Sequence, residues 1–270
     1  MRYTLLVLLL VGLVGCSTNV TEIKVISFDV FGALMNLDKS LIRNIHNIVG
    51  DYITDSQVEA LADEWAEHYG NTFWQYNSII KNPAVKPADP NLFRLMLETG
   101  LHHILKKMNI SEKIPRELQA KLHQCWGDLI PWENTGETLK FIHSLKNKDG
   151  SRRFKLSILS NGDRETLVNA SKIFKTQFGF EFDYILGFSD AGIFKPEPNF
   201  YKVVEDQGYK KEEVLHVAGS QFDAIGSKSY GYKSAWNFGD RSEYVNLLGQ
   251  KQFDIDFYLK DLSDLKKLLV

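Results

Sequence analysis

The sequence has too few cysteines for a fold built on disulfides. Only Cys16 and Cys125 are present among its 270 residues, whereas small secreted domains that depend on disulfides carry several pairs. The sequence also lacks an excess of positive charge, because its formal net charge is -2. Without a basic field or a dense run of lysine and arginine, nucleic acid is not an expected partner.

No apolar run is long enough to cross a bilayer as a helix, which takes about 20 residues. Residues 5–14 nevertheless form an almost unbroken apolar stretch. Arg2 precedes this stretch and small residues follow it, which is the pattern of a secretory signal. We therefore set residues 1–16 apart from the fold.

The end of this signal, Leu13-Val14-Gly15-Cys16, resembles the bacterial lipobox, in which a peptidase cuts before a cysteine that carries the lipid. The resemblance implies lipidation of Cys16 and an exported, membrane-anchored protein on the periplasmic or cell-surface side of a bacterium. In another host we expect secretion. An ordinary cleaved signal and an uncleaved anchor are the alternatives.

Apolar residues are plentiful, at 44% of the chain, which is enough for a sizeable core. Short apolar or β-branched runs predict buried parallel strands at residues 24–28, 154–159, 184–188, 214–218 and 233–238. Helical patterns lie between the later runs, at residues 164–174, 199–207 and 223–230. This alternation predicts an α/β fold with a doubly wound, Rossmann-like parallel sheet.

The segment from residue 38 to residue 130 has a different pattern. Its periodicity is helical at residues 56–69, 91–108 and 115–129, with a proline-rich break between the first two. We interpret residues 38–130 as an all-α cap domain inserted after the first strand. The core then consists of residues 17–37 and 131–270.

Polar residues stand where the predicted strands end. Asp29 follows the first strand, Ser160 and Asn161 end the second, Lys195 follows the third, and Asp223 follows the fourth. Because ligands of open α/β sheets bind beyond the carboxyl ends of the strands, these side chains are expected at one edge. Two acids, an amine and a hydroxyl-amide pair would meet there.

These four segments, in this order and with an insertion after the first, resemble the four motifs of the haloacid dehalogenase (HAD) superfamily, specifically its L-2-haloacid dehalogenase branch. The resemblance covers nearly everything from Lys24 onward. It implies a hydrolase in which Asp29 attacks a substrate carbon and forms an ester that water then hydrolyses. It further implies that Lys195 compensates charge and that Asp223 orients or activates the water. We expect Lys195 to keep the pKa of Asp29 low.

The resemblance also implies residues that bind a small-molecule substrate: Phe31, Ser160, Asn161, Tyr201, Ser220 and Phe222. Ser160 and Asn161 match a hydroxyl-amide pair that contacts the substrate carboxylate. Phe31 and Phe222 stand at aromatic positions and would form an apolar wall.

Phe31 separates branches of the superfamily. Phosphatases carry an acid two residues after the nucleophile, which protonates the leaving oxygen and helps to hold magnesium. A phenyl ring can do neither. We therefore expect no metal and no cofactor, and a magnesium-dependent phosphatase with a degenerate motif is the alternative.

The chain departs from the dehalogenase pattern in its cap. The family's arginine that receives the departing halide has no counterpart, since the residues after Trp65 are Ala66, Glu67 and His68. The threonine after the motif-one glycine is Ala33. These departures leave open an altered substrate, or a weakened surface lipoprotein that acts as a binding module. A homodimer formed through the cap is expected from the family alone.

Overall fold

The computed structural model describes residues 22–81, 89, 91–239 and 254–270. The predicted signal segment and Cys16 lie outside these residues, so the lipidation of Cys16 stays a prediction. In the part of the chain that is described, none of the helices combines the length and apolar character needed to cross a membrane.

The described strands are β1 (Val25–Phe28), β2 (Met35–Asn36), β3 (Ile130–Pro131), β4 (Lys155–Ser160), β5 (Tyr184–Gly187), β6 (Val214–Ala218), β7 (Lys233–Asn237) and β8 (Phe257–Leu259). The described helices are α1 (Leu37–Val49), α2 (Asp55–Ile80), α3 (Leu92–Lys107), α4 (Arg116–Gln119), α5 (Thr135–Ser144), α6 (Arg164–Phe178), α7 (Phe188–Ala191), α8 (Pro198–Glu205), α9 (Gln221–Tyr230) and α10 (Leu265–Leu269).

Six of these strands form one parallel sheet in the order β5-β4-β1-β6-β7-β8. The chain fills one side of β1 and then the other, so the predicted doubly wound α/β fold is confirmed. The five predicted strands differ from the observed ones by no more than one residue at either end. The short strand β8 was not predicted.

Both faces of the sheet are covered, which explains why its strands are continuous apolar runs. All four residues of β1 are fully buried. Helices α5, α6 and α10 pack on one face through Leu139, Phe174 and Leu265. Helix α8 covers the other face with Phe200 and neighbouring apolar residues.

The inserted segment forms a helical cap. Strands β2 and β3 pair antiparallel where the chain leaves the core and returns to it. Helix α2 starts at a capping box formed by Thr54 and Gln57 and continues to Ile80, well past the predicted end at residue 69. The apolar core of the cap also contains Phe188 and Phe194 of the sheet domain, so the cap packs directly on the core.

The single helix predicted over residues 115–129 is wrong. The segment splits into α4 and a 3₁₀ turn, Leu122–Trp126. The Gln119 side chain donates to the carbonyls of Ser111 and Ile114, each at 2.8 Å, and Asn44 of α1 donates to the Cys125 carbonyl at 3.2 Å. These side chains bind carbonyls on both sides of the break, and the tighter turn buries Trp126.

Candidate active site

Asp29 lies one residue beyond β1, at the carboxyl edge of the sheet. Its backbone N–H donates to the Val217 carbonyl of β6 at 3.0 Å, and the residue is only 7% exposed. Ser160 Oγ donates to Asp29 Oδ1 at 2.8 Å, and Lys195 Nζ donates to the same oxygen at 3.1 Å. Among the residues that the structure describes, both side-chain donors meet at Oδ1. Oδ2 is therefore the oxygen left to approach a substrate carbon.

Lys195 bridges the two acids of the site. Its ammonium is 2.7 Å from Asp223 Oδ2 as well as 3.1 Å from Asp29 Oδ1, and the residue is 1% exposed. Its backbone N–H donates to Asn161 Oδ1 at 2.8 Å. The structure thus brings Asp29, Ser160, Asn161, Lys195 and Asp223 together, at the edge where their positions after the strands predict them.

The residue before Lys195 is tied to the cap. Asn77 of α2 donates through Nδ2 to the Phe194 carbonyl, and the Phe194 N–H donates back to Asn77 Oδ1, both at 2.9 Å. All of these groups are buried. The lysine loop is therefore held by the core through Asn161 and by the cap through Asn77.

Asp223 lies in the first turn of α9 and is fully buried. Its Oδ1 accepts from the Tyr201 hydroxyl at 2.9 Å. Its Oδ2 lies 2.9 Å from His216 Nε2 in addition to the Lys195 contact. His216 Nδ1 in turn lies 2.9 Å from Ser27 Oγ. His216 was not among the predicted site residues. Its position as the polar residue of an otherwise apolar strand could have indicated it.

The two acids have different electrostatic environments. Burial raises the pKa of Asp29 and the charge of Asp223 raises it further, while Lys195 opposes both effects. The expectation that Lys195 keeps this pKa low is therefore wrong in its net direction, because desolvation outweighs the cation. Burial also acts to raise the pKa of Asp223, but His216 and Lys195 outweigh it and hold that pKa well below its usual range. Of the two acids, Asp223 therefore ionises more readily.

Phe31 faces the cap, as an apolar wall requires. Its ring is stacked on Phe93 at 6.0 Å between centroids and lies edge-on to Trp126 at 5.5 Å. Phe222, the second predicted aromatic, packs against Phe73 and Trp74 of α2 at 5.3 and 5.4 Å. Both aromatic positions lie at the boundary between core and cap.

Two of the predicted substrate-binding residues, Tyr201 and Ser220, make other contacts in the structure. Tyr201 is fully buried, and its hydroxyl donates to Asp223 and so helps to hold that carboxylate in place. Ser220 occupies the N-cap position of α9, and its carbonyl accepts from the Ala224 N–H at 3.1 Å. The hydrogen bonds of the Asp29 cluster given above do not involve Ser220. The substrate-binding roles of both residues stay predictions.

Tyr69 of α2 was not predicted. Its ring lies 6.1 Å from the Phe31 ring, and its hydroxyl interacts with the Asn161 amide. Burial raises the pKa of Tyr69, the Asn161 amide lowers it, and the charges of Asp29 and Asp223 raise it, with a large net increase. The phenol is thus a neutral group that the cap brings to the Asp29 cluster. In the sequence, Tyr69 directly follows the segment Ala66-Glu67-His68, which stands where the family's cap arginine is expected.

The donors around Asp29 fit a divalent cation poorly. Lys195 Nζ lies between the two carboxylates, and Phe31 supplies no oxygen. Across the described ranges, no group of three or more histidine, cysteine, aspartate or glutamate residues is arranged to hold a metal ion.

Comparison with known proteins relates this arrangement to curated relatives. A (S)-2-haloacid dehalogenase of Pseudomonas putida is 20% identical over 218 residues, which cover 80% of this chain and 84% of that protein. Pyrophosphatase PpaX of Halalkalibacterium halodurans is 34% identical over 140 residues, or 50% of this chain. The matched segment spans only 58% of that pyrophosphatase.

The fold matches solved structures over nearly its whole length. The L-2-haloacid dehalogenase from Xanthobacter autotrophicus superposes with a TM-score of 0.70 at 20% identity, covering 92% of this chain and 98% of that one. The family model described as haloacid dehalogenase-like hydrolase matches residues 26–237. This match takes in all four polar segments at the strand ends, and the chain belongs to the haloacid dehalogenase-like hydrolases.

Proposed function

We propose that this protein hydrolyses the carbon-halogen bond of 2-haloacids without a metal, with Asp29 as its nucleophile. The observation that carries the proposal is the asymmetric carboxylate of Asp29. Ser160 and Lys195 hold Oδ1, and Oδ2 is left to react. The (S)-2-haloacid dehalogenases among its relatives support this choice of substrate.

In the first step, Oδ2 of Asp29 attacks the carbon that carries the halogen. A carbon-oxygen bond forms as the carbon-halogen bond breaks, and the halide leaves with the electron pair. The Ser160 and Lys195 donors fix the carboxylate for this in-line approach. Since Asp29 is almost fully buried, few waters compete with it for the substrate carbon.

In the second step, water attacks the carbonyl carbon of the Asp29 ester, and the 2-hydroxy acid leaves as the carboxylate reforms. One proton of this water ends on the hydroxyl group of the 2-hydroxy acid, and the other is released to solvent. Negative charge develops on the ester oxygen, and Lys195 is placed to stabilise it. Asp223 accepts hydrogen bonds from Lys195, His216 and Tyr201, and its pKa is low. Because both of its oxygens already accept hydrogen bonds, Asp223 is placed to orient Lys195 rather than to take a proton from water.

A magnesium-dependent phosphatase is the second candidate, and the pyrophosphatase relative is the observation in its favour. The residues at the site oppose it. Phe31 stands where a phosphatase needs its general acid, and the ammonium of Lys195 lies between Asp29 and Asp223.

Halide release from 2-chloropropionate by the full-length protein, with EDTA throughout, tests the proposal. We expect release by the wild type and none by Asp29→Asn. Asp51→Asn, which changes an exposed aspartate, is the matched control and keeps full activity. Absence of release from every 2-haloacid tried, together with magnesium-dependent hydrolysis of phosphate esters, would replace this proposal with the phosphatase.

We also propose that the protein is exported and lipid-anchored at Cys16. The apolar stretch at residues 5–14 and the lipobox-like end support this proposal. We expect mass spectrometry of the cell-derived protein to find an N-terminal, lipid-modified Cys16, and Cys16→Ala to leave the membrane fraction. An intact, unmodified N-terminus would contradict it.

A further inference from the structure

Helix α2 places the polar side chain of Tyr69 among aromatic rings at the boundary between core and cap. The ring of Tyr69 packs edge-on to Trp126 at 5.0 Å and to Phe31 at 6.1 Å between centroids. Phe31 follows Asp29 by two residues. These ring contacts place the phenol hydroxyl where it interacts with the Asn161 amide and with the charge of Asp29.

The orientation of Asn161 determines what the phenol can do. Asn161 Oδ1 accepts the Lys195 backbone N–H at 2.8 Å. The Nδ2 group takes no part in that bond and can only donate, so it can meet the phenol oxygen of Tyr69. In that arrangement the phenol hydrogen is available for a further acceptor.

We propose that Tyr69 donates this hydrogen bond to the departing halide and so takes the place of a cation in the cap. The inference rests on the proposed dehalogenase function and names the group that receives its leaving atom. The halide leaves with the electron pair of the carbon-halogen bond while the proton stays on the phenol oxygen. A neutral donor also costs less to bury among Phe31, Phe93 and Trp126 than a guanidinium would.

A neutral donor makes the rate depend on the halogen. Chloride is a stronger hydrogen-bond acceptor and a poorer leaving group than iodide, so chloride departure gains more from Tyr69. A hydrogen bond to a charged group corresponds to a rate factor on the order of 10- to 100-fold. Loss of the phenol hydroxyl should therefore slow the chloride reaction by about this factor and the iodide reaction much less.

The experiment compares ester formation on Asp29 from 2-chloro-, 2-bromo- and 2-iodopropionate. It uses the full-length protein in single turnover and follows the ester by intact mass, because the halide leaves in this step. In Tyr69→Phe we expect the chloro rate to fall on the order of 10- to 100-fold and the iodo rate to change by less than about 3-fold. Tyr76→Phe, a partly buried tyrosine of the same helix, is the matched control and should leave all three rates unchanged.

The halide series separates this role from a structural one. A general disturbance of the site would lower all three rates by the same factor, and that result in Tyr69→Phe would overturn the inference, as would three unchanged rates. If the wild type forms no ester from any of the three acids, the proposed function itself fails and the role of Tyr69 fails with it.

Discussion

The ammonium of Lys195 lies closer to Asp223 than to Asp29, at 2.7 Å from Asp223 Oδ2 against 3.1 Å from Asp29 Oδ1. The Lys195 and Asp223 side chains are 2% and 1% exposed. Buried charges of this kind persist only when they are paired. Lys195 is thus the common partner that allows two acids to share one dry site.

Replacement of Lys195 by methionine should leave two facing carboxylates without a cation. We expect Lys195→Met to lower the free energy of unfolding by about 3 to 5 kcal/mol, measured by urea denaturation at pH 7. Lys202→Met is the control, since its ion pair with Asp206 is more than half exposed and should contribute less than about 1 kcal/mol. Equal losses in the two variants would contradict a structural role for the buried pair.

The rate of ester formation should rise with pH as Asp29 ionises, with a midpoint above its ordinary pKa of 3.8. In Asp223→Asn we expect the midpoint to move to lower pH. The charge that raises the pKa of Asp29 is then gone, and Lys195 is free to pair with Asp29 alone. Intact-mass measurement of the ester over a pH series gives the midpoint, and an unchanged or higher value would be evidence against this coupling.

Gly219 should not tolerate a side chain. A Cβ atom there would lie 2.3 Å from the Ala33 backbone nitrogen and 2.4 Å from the Gly32 carbonyl carbon. Gly219→Ala must therefore displace the loop that follows Asp29, and we expect a loss of about 1 to 3 kcal/mol in stability. Ester formation should slow on the order of 10- to 100-fold.

Gly70 provides the contrast to Gly219, because a Cβ atom there meets nothing within 4 Å. It lies inside α2, where alanine is favoured over glycine, so Gly70→Ala should gain roughly 0.5 to 1 kcal/mol. The same direction of change in both variants would contradict the steric argument.

Phe31→Asp tests whether the phosphatase position can be restored. It places an unpaired carboxylate against Phe93 and Trp126, so we expect a loss of about 3 kcal/mol in urea denaturation and no phosphatase activity with magnesium. Phe31→Leu keeps the site apolar and should lose about 1 kcal/mol. Magnesium-dependent turnover of p-nitrophenyl phosphate by Phe31→Asp would show that one residue separates the two chemistries.

The part of the site that could be predicted from the sequence is the part that follows strand ends. Each of these residues follows a buried run, and parallel topology alone brings them to one edge: Asp29, Ser160, Lys195 and Asp223. The strands themselves were predictable because both faces of the sheet are covered, which makes the runs continuously apolar.

The remainder depends on contacts distant in sequence. His216 is separated by 189 positions from Ser27, its partner, and in the sequence it is only one residue of a strand. Tyr69 reaches Asn161 because the cap docks on the core, and no local pattern encodes that contact. The direction of the Asp29 pKa shift likewise follows from the extent of burial, which a motif does not give.

The paired hydrogen bonds between Asn77 and Phe194 join the cap to the residue next to Lys195. The cap cannot swing outward without breaking both bonds or dragging the main chain of Lys195 with it. An outward movement of the cap would therefore also shift the Lys195 ammonium that pairs with Asp29 and Asp223. Access to Asp29 and the position of Lys195 thus depend on the same pair of hydrogen bonds.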